Sequence, residues 1–342
     1  MIIPSTYSVA LLLAILTMIC WGSWANTQKL SGKWRFELFY YDYALGMLVM
    51  SLILAFTFGS FGSDLSFMDN LMVTGKRQIA FAVVAGIIFN LANMLLVAAI
   101  TVAGMSVAFP VGIGLALVIG VIWSYLLNPQ GNPYLLFGGA LIVVFAIIVD
   151  ALAYSRYAKD NAPPPPPGKK KRQASVSAQG IILSLISGLL MGSFYPLIEF
   201  SKEGDLALGP YTIGVLFSLG VFFSTFLFNL YFMNLPVQGE RVFFSHYFRG
   251  TSKQHMLGLV GGAIWCIGGV SNFVAASTPA HVNIGPAVSY ALGQGATLIS
   301  ALWGLFYWQE FKNPSPKVKQ LLMLMLALFV VGLALVSIAP LH

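Results

Sequence analysis

Residues 156–177 read RYAKDNAPPPPPGKKKRQASVS. This is the longest polar interruption in a 342-residue chain that is 58% hydrophobic and 8% charged. Pro163 through Pro167 lack backbone N–H groups and have a fixed φ, so they cannot be helix interior. They predict a short, stiff polyproline II spacer with a solvated backbone. Lys169, Lys170, Lys171 and Arg172 read as a solvated run, or as a patch resting on anionic lipid head groups. A phosphate-binding loop needs G-x-x-x-x-G-K-[ST]. Gly168-Lys169 has neither the upstream glycine nor the Ser/Thr after the lysine, which excludes that chemistry. The segment therefore lies in water. It divides the chain into 1–154, a linker at 155–177, and 178–342.

On either side the chain is apolar. Mean hydropathy is +0.83, and the charged fraction is far below the quarter or so of a soluble domain. Such a chain cannot cover itself with polar surface and belongs in a bilayer. Cys20 and Cys266 both fall in apolar runs and read as small core residues rather than a disulfide or a metal pair. The formal net charge of +7 is scattered among loops with no folded basic domain to hold it, so it reads as a topology signal and not as a nucleic-acid footprint.

Apolar runs of roughly 20 residues, each long enough to cross about 30 Å of hydrocarbon, predict ten spans. They are 8–27, 38–58, 78–101, 104–127, 134–154, 178–199, 209–233, 256–278, 282–308 and 318–339. The first lacks a basic leading region and a clear small-residue cleavage site, and so reads as a membrane helix rather than a signal peptide. Five spans lie on each side of the linker, and the halves echo each other. Trp21-Gly22-Ser23-Trp24 recurs as Met191-Gly192-Ser193-Phe194, an offset of 170. Val84-Ala85-Gly86 recurs as Val260-Gly261-Gly262, and Pro110 as Pro286, both at 176. The order and near-constant offset indicate a duplication. An odd number of spans per half makes it an inverted repeat, a plan of secondary transporters with the binding site near the midplane. The expected fold is an all-α integral membrane protein of two inverted five-helix repeats.

With both termini outside the inner or plasma membrane, 15 of 18 basic residues fall in cytoplasmic loops. Only Lys76, Arg77 and Lys202 face out, which the positive-inside rule favours. The linker is then cytoplasmic.

No hydrolytic, redox, cofactor or metal-ligating constellation is expected. His246 and His255 share one polar loop, His281 lies in a tight turn, and His342 ends the chain. The informative residues are polar groups within spans, which are costly to bury unpaired in lipid. Asn90 and Asn93 share a helix face with Gly86, and Asn272 follows Trp265 on one face. Their amides suit either a neutral polar solute or interhelical bonding. Tyr290 and Gln294 are an i, i+4 pair after Pro286, read as solute contacts or as close packing. Trp21 and Trp24 are candidates for interfacial anchors or for stacking faces under a flat solute. Asp42, one turn into its span among three tyrosines, is the first candidate for proton coupling, with a salt bridge to Lys33 or Arg35 as the alternative. Glu199 is the second. Asp150 and Glu310 read as interfacial.

The pattern resembles the drug/metabolite transporter superfamily, and within it the ureide permeases and the related glucose/ribose and rhamnose porters. The residues that carry the resemblance are Tyr41-Asp42-Tyr43, Ala55-Phe56-Thr57-Phe58-Gly59, Gly261-Gly262-Ala263-Ile264-Trp265, Ser300-Ala301-Leu302-Trp303-Gly304 and Gln309-Glu310-Phe311. The P-loop-like central sequence of ureide permeases has no match here, so no nucleotide role carries over. The resemblance implies secondary active, proton-coupled transport of a small neutral solute: a ureide, nucleobase or sugar. It implies a cavity enclosed by spans 1–4 and 6–9 and braced by spans 5 and 10. Trp24, Asn90, Asn93, Trp265, Asn272, Tyr290 and Gln294 would lie near the solute, and Asp42 would carry the proton. The alternatives are a multidrug-type exporter of cations and, outside transport, a membrane enzyme or sensor. An enzyme should cluster acid/base groups in its spans, and a sensor should carry a soluble output domain.

Replacing Pro163–Pro167 with Gly/Ser is expected to leave transport intact, whereas neutralising Lys169–Arg172 disturbs membrane insertion first. A large loss of solute affinity in the proline variant would contradict this reading of the linker.

Overall fold

The computed structural model describes residues 1–62, 65–161, 178–204, 207–236, 240–279, 282 and 284–342. The proline run, its basic residues and His281 fall outside them. Among the described residues the chain is helical throughout, with no strand. The helices are α1 (Tyr7–Ser23), α2 (Ala25–Leu30), α3 (Phe36–Phe56), α4 (Phe67–Val73), α5 (Lys76–Ala103), α6 (Met105–Leu127) and α7 (Pro133–Asp160). After the linker come α8 (Ala178–Ser201), α9 (Pro210–Asn234), α10 (Ser252–Ala275), α11 (Pro286–Gly293), α12 (Ala296–Leu302) and α13 (Pro316–Ile338). A short 3-10 turn, Phe244–Arg249, precedes α10.

Helix starts follow local chemistry. Proline occupies the first turn of α7, α9, α11 and α13, where its missing N–H costs nothing. The Asn132 side chain caps α7 by accepting from the amides of Tyr134 and Leu135, and Thr251 and Gln254 form a capping box on α10. Pro110 lies inside α6, so only Pro286 of that repeated pair opens a helix.

Nine helical segments among the described residues are long and apolar enough to cross a membrane. They correspond to nine of the ten expected spans. The remaining one, expected over 282–308, is interrupted. α11 stops at Gly293, the chain bends through Gln294 and Gly295, and α12 runs on into a π-helical turn at Trp303–Tyr307. The first span is also interrupted, at Trp24, between α1 and α2. At each interruption a threonine three residues on donates both its backbone amide and its hydroxyl to the carbonyl. Thr27 Oγ1 bonds to Trp24 O at 2.8 Å and Thr297 Oγ1 to Gln294 O at 3.1 Å.

α1 packs on α10 and α5 on α8; α3 packs on both α9 and α10, and α5 on α9; α6 packs on α8, α7 and α11. α7 lies along α13 at the side of the bundle. Two crossings are very close. A side chain on Gly262 of α10 would collide with the Tyr43 carbonyl of α3, and one on Gly86 of α5 with the Phe217 carbonyl of α9. Without a hydrophobic drive between helices in lipid, such backbone approach is what holds a bundle together.

This gives matched variants. Gly262→Ala and Gly86→Ala are expected to lower stability by roughly 1–3 kcal/mol, as overpacking does. Gly138→Ala on α7, whose added methyl meets open space, should be neutral or slightly stabilising because alanine favours helix. Thermal unfolding in detergent tests the contrast; equal shifts for all three would refute the crossing account.

Candidate functional site

The interruptions at Trp24 and Gln294 face a cavity of about 160 Å³ in the middle of the bundle. α1 brings Trp21, the α1–α2 junction Trp24, α5 Phe89 and Asn93, α8 Met191 and Phe194, and α10 Trp265. Gln294, Thr297 and Ser300 come from the broken α11–α12 segment. One wall is a ring stack. Trp21 lies on Trp265 at 5.4 Å, Trp265 lies on Phe217 at 5.6 Å, and Phe89 tilts against Trp265 at 4.5 Å. Trp24 packs on Tyr43 at 4.8 Å.

A second cavity, of about 310 Å³, adjoins the first and shares Trp24, Asn93, Thr297 and Ser300 with it. It reaches towards the end of the bundle that carries the linker, past Gln28, Phe36, Thr101, Asp150 and Tyr154. Beside it, Lys29 of α2 meets Glu310 at 2.5 Å and lies 4.2 Å from the Trp308 ring, while the Tyr154 hydroxyl donates to the other Glu310 oxygen at 2.5 Å. Burial works against charge on Glu310. Lys29 and Tyr154 outweigh it and hold the carboxyl below its usual range.

Trp21, Trp24, Asn93, Trp265 and Gln294 therefore come together around one space. Asn93 Nδ2 donates to the Tyr40 hydroxyl at 3.0 Å, and its oxygen accepts from no described residue. The Gln294 side chain is likewise without a described protein partner, while its backbone oxygen is held by Thr297. The other three expected residues do not line either cavity. Asn90 donates to Val221 O, Ser224 and Thr225, tying α5 to α9. Asn272 donates to Ser289 O at 2.8 Å and accepts from the Tyr195 hydroxyl at 2.6 Å, tying α10 to α11 and α8. Tyr290 is fully buried, with its ring against Gly120 of α6.

Asp42 and Glu199 have their charge answered elsewhere. Asp42 lies beside Gly258, where α3 meets α10. Its Oδ1 accepts from the Tyr247 hydroxyl at 2.5 Å and its Oδ2 lies 2.7 Å from His255 Nδ1. Burial, and then the Asp42 carboxylate, push the Tyr247 phenol well above its ordinary value. The basic partners expected for Asp42 are not used: Arg35 bonds instead to Glu37, at 2.6 Å. Glu199 pairs with Lys202 at 2.7 Å in a recess at the opposite end from the linker.

Sequence reasoning missed Phe89, Thr297, Ser300 and the vestibule position of Asp150. Phe89 lies four residues before Asn93, and Thr297 and Ser300 lie three and six after Gln294. Helical spacing could have found all three had the break been expected. The Asp42–His255 pairing spans 213 residues of sequence and leaves no local signal.

The ureide permease family model matches residues 39–171 and 169–339. Ureide permease 1 of Arabidopsis thaliana is 23% identical over 389 residues, covering 97% of this chain and 96% of its own. Ureide permease 2 of the same plant is also 23% identical, over 394 residues, with 97% and 96% covered. Transmembrane protein 144 homolog B of Dictyostelium discoideum is 26% identical over 165 residues, covering 48% of this chain and 41% of its own. A solved crystal structure of another protein superposes with a TM-score of 0.63 over 97% of this chain and 98% of that one; at 15% identity it speaks to fold alone. With many apolar helices around a polar-edged internal cavity, and with its sequence matched to permeases along nearly its whole length, the chain is a multi-pass membrane transporter of small solutes and belongs to the ureide permease family.

Proposed function

We propose that the chain carries a small neutral polar solute, of ureide, nucleobase or sugar type, through the central cavity by alternating access, with a proton as the coupling ion. The observation that carries this reading is the lining of the inner cavity. Two amide side chains, Asn93 and Gln294, bring polar atoms without protein partners against a wall of Trp21, Trp24 and Trp265. Among the described residues none of the wall side chains is charged. An amide both donates and accepts, as a ureide, a nucleobase edge or a sugar hydroxyl requires. At about 160 Å³ the space is below the roughly 300–1,000 Å³ of drug-sized sites, which favours a small solute.

Alternating access rests on the inverted five-plus-five repeat, and the packing supports it. If span 1 corresponds to span 6 and so on, the α1–α10 contact has α8–α5 as its counterpart, and α3–α10 has α9–α5. The close crossings obey the same relation, with Gly86 and Gly262 176 residues apart. The cavity continues towards the linker end through the vestibule. At the other end Tyr195, Asn272, Ser289 and Tyr290 form a bonded, buried layer. We place the linker end in the cytoplasm on the distribution of Lys and Arg.

Reconstituted into liposomes and offered allantoin, uracil and glucose, the wild type is expected to exchange at least one of them. For that probe Asn93→Ala and Gln294→Ala should each raise KM about tenfold, the order expected for one lost hydrogen bond. Asn90→Ala should lower thermal stability and leave KM unchanged, because its NH2 is committed to α9 and it lines neither cavity. An unchanged KM in both Asn93→Ala and Gln294→Ala would refute the proposed site.

A further inference from the structure

We infer that Asp150 is the group on which the coupling proton rides, taken up within the vestibule beside the solute cavity. The inference rests on the reading of the chain as a coupled transporter and assigns the residue that reading leaves open. Asp150 lies on the stripe of α7 that lines the vestibule, with Ile147, Ala151 and Tyr154. One of its carboxyl oxygens, Oδ1, is sealed from solvent and has no hydrogen-bond partner. An ionised carboxylate so placed is costly unless something answers its charge.

The surrounding elements do not answer it. Glu310, held by Tyr154 at the edge of the same vestibule, adds repulsion. Lys29 is taken by Glu310, as is the Tyr154 hydroxyl, and Arg156 of α7 pairs with Asp160 at 3.1 Å. α6 carries no charged residue, and α12 none; the charges of α13, Lys317 and Lys319, sit in its first turn. The remaining polar residues of the vestibule wall, Gln28, Asn93, Thr101, Thr297 and Ser300, are neutral. Charge compensation must therefore come from the vestibule space, and a proton supplies it by forming one O–H bond on the carboxylate, which breaks on release. Among the ten-span segments' other acids, Asp42 is closed in by Tyr247 and His255, and Glu199 by Lys202, and neither borders these joined cavities. The position also suits coupling, because Asn93, Thr297 and Ser300 belong to both cavities.

Two measurements test this. In proteoliposomes holding the full chain, uptake of allantoin, uracil and glucose is driven first by a proton gradient and then by a sodium gradient. The wild type is expected to accumulate a probe under the proton gradient. Asp150→Asn should lose that accumulation while keeping solute counterflow, and Asp150→Glu should retain part of it. Undiminished accumulation in Asp150→Asn, or drive by sodium alone, overturns the assignment. The second measurement needs no solute. Dicyclohexylcarbodiimide, which attacks protonated carboxyls in apolar surroundings, is applied to the purified protein across a pH series, and the modified residue is read by peptide mass spectrometry. Labelling of Asp150 that falls as pH rises and ignores sodium is expected. No labelling there, or protection by sodium or by tetraphenylphosphonium, overturns the proposal in favour of no ion, a metal cation or an organic cation respectively. If no probe accumulates in the wild type yet Asp150 labels as expected, the solute class has failed and the proton assignment stands.

Discussion

Two helix crossings depend on a carbonyl of one backbone filling the place of a side chain on another: Tyr43 against Gly262, and Phe217 against Gly86. In lipid the tails outside are as apolar as the side chains inside, so burial of leucine does not hold helices together as it does in water. Dispersion contacts and interhelical hydrogen bonds must do so, and both fall off steeply with distance. Glycine at the crossing lets α3 meet α10, and α5 meet α9, closely enough for those short-range terms to act. The neighbouring bonds depend on it. Asn90 reaches Ser224 and Thr225 across the α5–α9 contact. Asp42 reaches His255 across the α3–α10 contact, where Gly258 leaves room for it.

That closeness sorts the polar side chains into two groups. Where two helices touch directly, the amide NH2 is spent on joining them, as at Asn90, whose buried Oδ1 is left without a described partner, and at Asn272, which is bonded through both its nitrogen and its oxygen. Beside the cavity an amide of the same type borders open space with part of its hydrogen-bonding capacity unused, as at Asn93 and Gln294. Asn90 and Asn93 make the point sharply. They lie three residues apart on one helix, yet one faces α9 and the other faces the space between α5 and the broken segments.

The fold was legible in the sequence wherever a span was an unbroken apolar run. The membrane class and nearly every span came from composition and length, because about 20 apolar residues are what a bilayer requires. The glycine offset between Gly86 and Gly262 was legible too, as it encodes a steric demand. The site was legible only in part. Residue type pointed to Trp21, Trp24, Asn93, Trp265 and Gln294, but equally to Asn90, Asn272 and Tyr290, because hydrogen-bonding chemistry does not reveal which neighbour a helix face meets. Asp150 was read as an interfacial acid from its place near a helix end. Its meaning depends on Glu310 and Lys29, residues 160 and 121 positions away in sequence, which answer each other's charge and leave Asp150 without a partner.

The broken segments explain why the cavity is where it is. An interrupted helix frees backbone carbonyls, which lipid cannot satisfy, so an interruption at membrane depth is tolerable only beside protein or a polar space. Here the two interruptions, at Trp24 and at Gln294–Gly295, both border the inner cavity, and each carbonyl there accepts both the backbone amide and the hydroxyl of a threonine three residues later, Thr27 or Thr297. Trp24 keeps helical dihedrals and lines the cavity from the first span, while the turn at Gln294 sets its amide there, with Thr297 and Ser300 following on the same wall. The broken segment still packs on α1, where a side chain on Gly22 would collide with the Ala296 carbonyl, so the cavity opens beside that contact and not in place of it. The turn at Gln294–Gly295, set within a stretch that reads as one apolar run, therefore lies on the wall of the polar cavity.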